Sequence, residues 1–242
     1  MLFAAGLGTR MRPLTEHTPK ALIELGDKTI LDYAIDALDA AGLERIVVNT
    51  HHLADKIAAH LAQRSARGAQ KAELVRVHEP LLLETGGAIV NALPWLGDEP
   101  FFTANMDMVW LDAAQAPATA LERMRRAFDP DEMDALLLLQ PLSRTVSYGG
   151  PGDFGLNAAG ELTRGSERPF VYASLQLIHP RLFAGRALEP FSLRELWFRG
   201  QRADGSLARI HGIVHKGDWL HVGSPGELSA ARAWLAHARV PA

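Results

Sequence analysis

Short apolar runs alternate with stretches of helical period along this chain, and that alternation limits the fold more than any single motif does. The runs are Met1 to Ala5, Ile46 to Asn49, Leu74 to His78, Phe101 to Ala104 and Ala135 to Leu139. Strands separated by helix-length segments must cross over to pair side by side, which predicts an α/β fold with a mostly parallel central sheet flanked by helices. Between the first two runs, Ile30, Leu31, Ala34, Ile35, Leu38 and Ala41 recur at three- and four-residue spacing and Gly42 follows. The spacing predicts a helix with one packed face and a glycine stop. A second helix is expected over Leu53 to Leu61. A last one is expected from Pro225, a favourable first-turn residue, through Leu228, Ala231, Trp234 and Leu235. The stretch 143–168 is rich in Gly, Pro and polar residues with little periodicity. It reads as a turn-rich insertion, of the kind that lines sites, within one domain spanning 1–242. The opening run is short for a buried central strand, which points to a start upstream of Met1 or a trimmed end.

Composition narrows the function classes. Of 242 residues 48% are hydrophobic and 22% charged, with a net charge of −3, the balance of a globular chain that buries a core. Cysteine is absent, which excludes disulfides, thiolate metal sites and a cysteine nucleophile, so any metal must sit on oxygen or imidazole. The longest apolar runs, such as Leu136 to Leu139, fall far short of the roughly 20 residues that span a bilayer. No basic stretch followed by a long apolar one marks a secretory signal, so the expected address is cytoplasmic and no membrane partner is expected. A pI near 6.4 provides no basic field for a nucleic-acid backbone.

Local charge is concentrated at one place. The string Ala4-Ala5-Gly6-Leu7-Gly8-Thr9-Arg10-Met11-Arg12-Pro13-Leu14-Thr15, with Pro19-Lys20 after it, runs from the first strand into a glycine loop loaded with cations. Gly6 and Gly8 permit conformations in which successive N–H groups face a polyphosphate, while Arg10, Arg12 and Lys20 supply positive charge. A GxG spacing alone fits a solvated surface loop equally well; the full string is more specific. It is neither the GxxxxGK phosphate loop nor the three-glycine dinucleotide fingerprint. Asn105-Met106-Asp107 follows the run Phe101 to Ala104, and a period of two places Asn105 and Asp107 on one side. A carboxylate at a strand's carboxyl end suits Mg²⁺, although taken alone it is more often a turn residue. Glu84-Thr85-Gly86-Gly87-Ala88 follows the third run and by spacing alone reads as a helix entry capped by Thr85. Glu79 is either a base contact or an exposed strand-end carboxylate, and Ser174 either meets a ligand or is a satisfied strand serine. His51-His52 reads as capping or surface; Trp95, Trp197 and Trp234 read as packing.

These strings together resemble the sugar-1-phosphate nucleotidyltransferase family, whose signature is a GxGTRxxPLT loop followed by PK, and the resemblance extends over nearly the whole chain. It implies a Rossmann-like, glycosyltransferase-A-like nucleotidyltransferase fold. It also implies that Arg10 and Lys20 hold the triphosphate, with Ala5, Gly6, Leu7, Gly8 and Thr9 lining it. Asp107 would be the ligand of Mg²⁺, or of Mn²⁺, with Asn105 near the sugar phosphate. The resemblance further makes Gly86 and Gly87 a wall of the base pocket, with Glu79 close by. The ETGG turn, with Gly152-Asp153-Phe154 later, looks most like the bacterial N-acetylmuramate α-1-phosphate uridylyltransferases of cell-wall recycling, with Asp153 and Ser174 facing the sugar. Substrates implied are UTP and that sugar phosphate. Mannose 1-phosphate with GTP, or glucose 1-phosphate with UTP or dTTP, would use the same core. A monomer is expected because no long C-terminal extension of the repeat type follows, and nucleic acid is not an expected partner.

The departure lies in Gly217-Asp218-Trp219-Leu220-His221-Val222-Gly223-Ser224. The related uridylyltransferases carry there an aspartate, their second metal ligand, where this chain has His221. Imidazole suits Mn²⁺, Zn²⁺ or Co²⁺ better than Mg²⁺. His221 therefore either takes a softer metal, leaves Asp107 and phosphates to hold Mg²⁺, or bonds phosphate or sugar. A nucleotide- or sugar-binding regulatory protein without turnover is the alternative of another class.

Overall fold

The expected runs pair side by side, and the computed structural model describes residues 1–238. In chain order the strands are β1 (Leu2–Phe3), β2 (Glu24–Leu25), β3 (Lys28–Thr29), β4 (Arg45–Thr50), β5 (Glu73–His78), β6 (Phe101–Asn105) and β7 (Met108–Leu111). They continue with β8 (Ala135–Pro141), β9 (Thr145–Val146), β10 (Gly155–Leu156), β11 (Glu161–Thr163), β12 (Phe170–Ile178), β13 (Ser206–Val214) and β14 (Asp218–His221). The helices are α1 (Ile30–Ala40), α2 (Ala54–Ala66), α3 (Glu84–Leu96), α4 (Ala120–Ala127), α5 (Leu193–Phe198) and α6 (Pro225–Ala238).

A 9-stranded sheet has the order β10-β11-β13-β8-β12-β6-β1-β4-β5. Its β6, β1, β4 and β5 are mutually parallel neighbours. Strand β12 enters antiparallel between β6 and β8, β13 is parallel to β8, and β11 is antiparallel to both β13 and β10. Every strand except β11 and β12 thus runs in one sense, and the carboxyl ends of β1, β4, β5 and β6 open on one edge, where α/β sheets place ligands.

Continuous apolar runs follow from burial on both faces of this sheet. Successive residues of β8 alternate between two packed layers, Leu136 and Leu138 facing one and Leu137 and Leu139 the other. In β4, Ile46 and Val48 join the first layer and Val47 the second. Helix α1 is entered through a capping box, in which the Thr29 hydroxyl accepts from Asp32 N at 3.1 Å while the Asp32 carboxylate accepts from Thr29 N at 3.4 Å. It ends where Gly42 takes a φ of +74° and donates to Asp39 O at 2.9 Å.

Two expectations change. The second helix begins after Leu53 and continues to Ala66, because Arg64 turns back to bond Asp32 at 2.8 Å and Asp36, so polar ties extend the helix past its apolar stripe. The stretch 143–168 contains strands β9, β10 and β11. They are two or three residues long, too short to show a period. Strand β9 joins β7 and β14 in a 3-stranded sheet. Among the described residues no helix is long and apolar enough to cross a membrane.

Candidate active site

At the end of β1 the chain enters the glycine loop under tight constraint. Ala4 N donates to Asn49 Oδ1 at 2.8 Å, and the Thr15 hydroxyl closes the loop by donating to Gly8 O at 2.8 Å. Gly8 has a φ of +60°, and a Cβ there would stand 2.9 Å from the Thr15 methyl, so both conformation and contact demand glycine. Gly6 has open space around it. Buried Met11 pins the following 3-10 turn, Thr9–Met11, while Arg10 remains exposed. His52 Nε2 lies 3.3 Å from Thr15 O, and His51 Nδ1 lies 2.8 Å from Glu79 O, so this pair braces loop and strand ends.

The loop forms one wall of a cleft of about 460 Å³. Ala5, Gly6, Gly8, Thr9 and Arg10 line it, as do Lys20, Glu79, Asn105 and Asp107. Leu7 points away and is exposed. Arg12 is also exposed and does not line the cleft. Burial pulls the Lys20 ammonium below its ordinary range, the charge of Asp107 opposes that pull, Arg10 adds to it and Glu227 opposes it. A cation held half-desolvated between these groups is poised to take up anionic oxygen.

Asp107 occupies the turn between β6 and β7 rather than a continuation of β6, and its backbone carbonyl accepts from Val222 N at 2.8 Å. Its Oδ1 is buried with no partner among the described residues. A carboxylate oxygen left unpaired beside a phosphate-sized cleft fits a hard divalent cation, which takes one or two carboxylates plus phosphates and water. His221 makes a different pairing: its Nδ1 lies 3.0 Å from Glu227 Oε1, and its ring stacks on Trp219 with Tyr148 edge-on. Ser224 donates to Glu227 Oε2 at 2.9 Å, and against the opposing effect of burial this hydroxyl and His221 hold Glu227 below the usual carboxylate range. A Cβ at Gly223, which lines the cleft, would stand 2.5 Å from the His221 ring and 2.9 Å from Glu227, so the pair packs directly over that glycine.

Glu79 is not an exposed strand-end carboxylate. It is buried, with Oε1 accepting from Asn49 Nδ2 at 2.7 Å and Oε2 from Leu83 N at 3.3 Å, and burial raises its pKa against those bonds. Asn49, read from the sequence only as the end of an apolar run, links this carboxylate to the glycine loop; a polar residue ending a buried apolar strand was the available signal. Glu84, Thr85 and Ser192 also line the cleft unforeseen. The glycines after them do another job than lining it. A Cβ on Gly86 would lie 2.1 Å from the Phe191 ring and one on Gly87 2.2 Å from Glu189 O, while both N–H groups donate to Phe191 O. They let α3 press against the segment leading to α5. Thr85 does not cap α3; its hydroxyl accepts from Leu193 N at 3.0 Å.

On the other flank Asn105 Nδ2 donates to Ser174 Oγ at 3.2 Å. Ser174 has a φ of +60° where the β12–β8 register shifts between Tyr172 and Gln176, so a bulge carries it to Asn105. Asp153 accepts from Tyr172 N at 3.0 Å and lies 3.7 Å from Arg194. Neither Ser174 nor Asp153 lines the main cleft.

Residues 1–207 match the MobA-like NTP transferase domain. The chain belongs to that family. The N-acetylmuramate alpha-1-phosphate uridylyltransferase of Caulobacter vibrioides is 41% identical to it over 242 residues, covering 98% of this chain and 97% of the relative. The enzyme of the same name from Neisseria meningitidis serogroup B is 33% identical over 96% of each chain. With these relatives the MobA-like chain is a sugar-1-phosphate nucleotidyltransferase. In fold it is similar to a UDP-glucose pyrophosphorylase from Acinetobacter baumanii, with a TM-score of 0.73 at 19% identity over 98% of this chain and 93% of that one. It is similar too to HddC from Yersinia pseudotuberculosis complexed with GMP-PN, with a TM-score of 0.72 at 18% identity over 97% of each.

Proposed function

We propose that this nucleotidyltransferase joins the uridylyl group of UTP to N-acetylmuramate α-1-phosphate and releases pyrophosphate, a step in the cytoplasmic reuse of cell-wall sugars. The observation that carries the chemistry is the convergence on one cleft, at the carboxyl ends of parallel strands, of Arg10, Lys20 and Asp107, whose Oδ1 has no partner among the described residues. The full-length likeness to two uridylyltransferases supports the choice of substrates.

An oxygen of the sugar phosphate attacks the α-phosphorus in line, and the bond from that phosphorus to the β-phosphate bridging oxygen breaks. The nucleophile is already an anion near neutral pH, so no general base is needed and the barrier is repulsion between phosphates. In this reading the backbone of Ala5 to Thr9 cradles the triphosphate, Arg10 neutralises the departing pyrophosphate and Lys20 bridges the attacking and transferring groups. Asp107 would hold Mg²⁺, or Mn²⁺, which supplies charge neutralisation and alignment at the α-phosphate. Imidazole is a poor ligand for Mg²⁺, so with that ion the ligands in this reading are Asp107, phosphates and water, while Mn²⁺ would suit His221, whose Nδ1 lies 3.0 Å from Glu227 Oε1. Glu79, with both oxygens occupied by Asn49 and Leu83, holds the wall behind the base, while Asn105, Ser174 and Asp153 shape the sugar side.

The test is pyrophosphate release from a matrix of UTP, GTP, dTTP, CTP and ATP against several sugar 1-phosphates in Mg²⁺ and then Mn²⁺. The highest kcat/KM is expected for UTP with N-acetylmuramate 1-phosphate, with slower turnover of other sugar 1-phosphates. Preference for GTP with mannose 1-phosphate would replace the substrates, and binding of nucleotide without any release would replace the enzyme by a regulatory protein.

A further inference from the structure

A side cavity of about 180 Å³ opens off the cleft and shares Phe3, Thr85, Asn105 and Ser192 with it. Two of its lining residues, Gln176 of β12 and Trp197 of α5, are 1% and 3% exposed. The Gln176 Oε1 and the Trp197 Nε1 are both buried, and neither has a hydrogen-bond partner among the described residues. The indole is fixed by edge-on packing against Tyr172 at 5.1 Å and Phe154 at 6.3 Å. Leaving a buried donor and a buried acceptor unpaired costs stability, and such groups gathered on one cavity beside a reaction cleft point to a ligand that satisfies both.

The chemistry of the pair selects the ligand group. An indole N–H only donates and an amide oxygen only accepts. A secondary amide answers both at once, its C=O accepting from Trp197 and its N–H donating to Gln176. A carboxylate has no proton for Gln176 Oε1. Among the described residues the one cation of this cavity, Arg194, has a half-exposed side chain and lies 3.7 Å from Asp153, which leaves the buried pair without a counter-charge for an anion. We infer that this cavity is the subsite for the acetamido group of the acceptor sugar phosphate, and that Gln176 and Trp197 determine specificity for N-acetylated sugars. The inference rests on the sugar-1-phosphate reading of the main cleft and adds to it the two side chains that read the acetamido group.

The experiment compares wild type, Trp197→Phe and Gln176→Leu, each checked for an unchanged melting temperature. Steady-state turnover with saturating UTP is measured on N-acetylmuramate, N-acetylglucosamine and glucose 1-phosphates, and calorimetric binding of the last two is measured alongside. Each variant should lose about tenfold in kcat/KM and in affinity for the acetylated sugars, one hydrogen bond's worth, with glucose 1-phosphate and the KM for UTP unmoved. Equal losses on all sugars, or no loss on the acetylated ones, would overturn the subsite. Trp197→Phe keeps the ring packing and decides alone if Gln176→Leu does not fold. A wild type that binds acetylated sugar phosphates in preference yet turns none over sinks the transferase reading while supporting the cavity.

Discussion

The sheet has two halves that differ in regularity. From β5 through β4 and β1 to β6, parallel strands keep an unbroken register, and a chain of bonds ties their ends, Ala4 to Asn49, Asn49 to Glu79 and Glu79 to Leu83, leaving Thr50 Oγ1, Thr103 Oγ1 and the Asp107 Oδ1 beyond β6 without a partner among the described residues. From β12 outward the register shifts twice, once at the left-handed Ser174, and Gln176 Oε1 and Trp197 Nε1 have no partner among the described residues; left-handed non-glycine residues occur on the other side too, at Leu53 and Glu84. In the proposed function the first half presents backbone and cations to a triphosphate, a demand common to every nucleotidyl transfer. In the same proposal the second half faces the acceptor, where a particular sugar has to be chosen, and strain or unpaired groups tend to be kept where they serve a ligand.

The largest expected effect tests the nucleotide half. Lys20→Ala should lower kcat by about 10²-fold to 10³-fold with an unchanged circular dichroism spectrum; near-normal turnover would remove Lys20 from the reaction. Next in size, Gly86→Ala should destabilise the fold by about 1–3 kcal/mol, because its methyl group meets the Phe191 ring and the packing of α3 against the 189–191 segment has to shift. A melting curve reads this, and an unperturbed transition would show that Gly86 serves some purpose other than close approach.

A third effect separates the halves by pH. Despite its burial, hydrogen bonds from His60, Thr29 and Arg64 hold the Asp32 carboxyl well below its usual range. A depressed pKa contributes stability that is complete above the unfolded value of about 4 and is lost as pH falls through the folded one. Hydrogen exchange below about pH 4 should therefore open α1 and α2 before the β12–β8 pair; the reverse order would contradict this assignment. The smallest effect belongs to the acceptor half. Ser174→Gly relieves a left-handed serine, so stability should hold or rise by up to about 1 kcal/mol, while the KM for the sugar phosphate rises several-fold as the Asn105 contact is lost. A fall in melting temperature would mean that the serine hydroxyl supports the fold more than the site.

Much of the nucleotide half was legible because its signals are local. A buried parallel strand must be apolar on both faces, a loop that approaches phosphate needs Gly8, and the cations lie close to it in sequence. What escaped notice depended on contacts distant in sequence. Asn49 reads as a strand end until Ala4 and Glu79 are seen on either side of it. Gly86 and Gly87 resemble a base-binding turn until Phe191, about a hundred residues later, occupies the space in front of them.

The sequence by itself determined the α/β class, the cation-rich glycine loop and a carboxylate close after β6, because hydrophobic period, glycine and charge act over a few residues. Only the tertiary structure decided which polar atoms are paired and which are left for a ligand. Pairing is settled by the packing of strands and helices far apart in the chain, and burial is what makes an unpaired oxygen on Asp107 or Gln176 costly enough to imply a ligand.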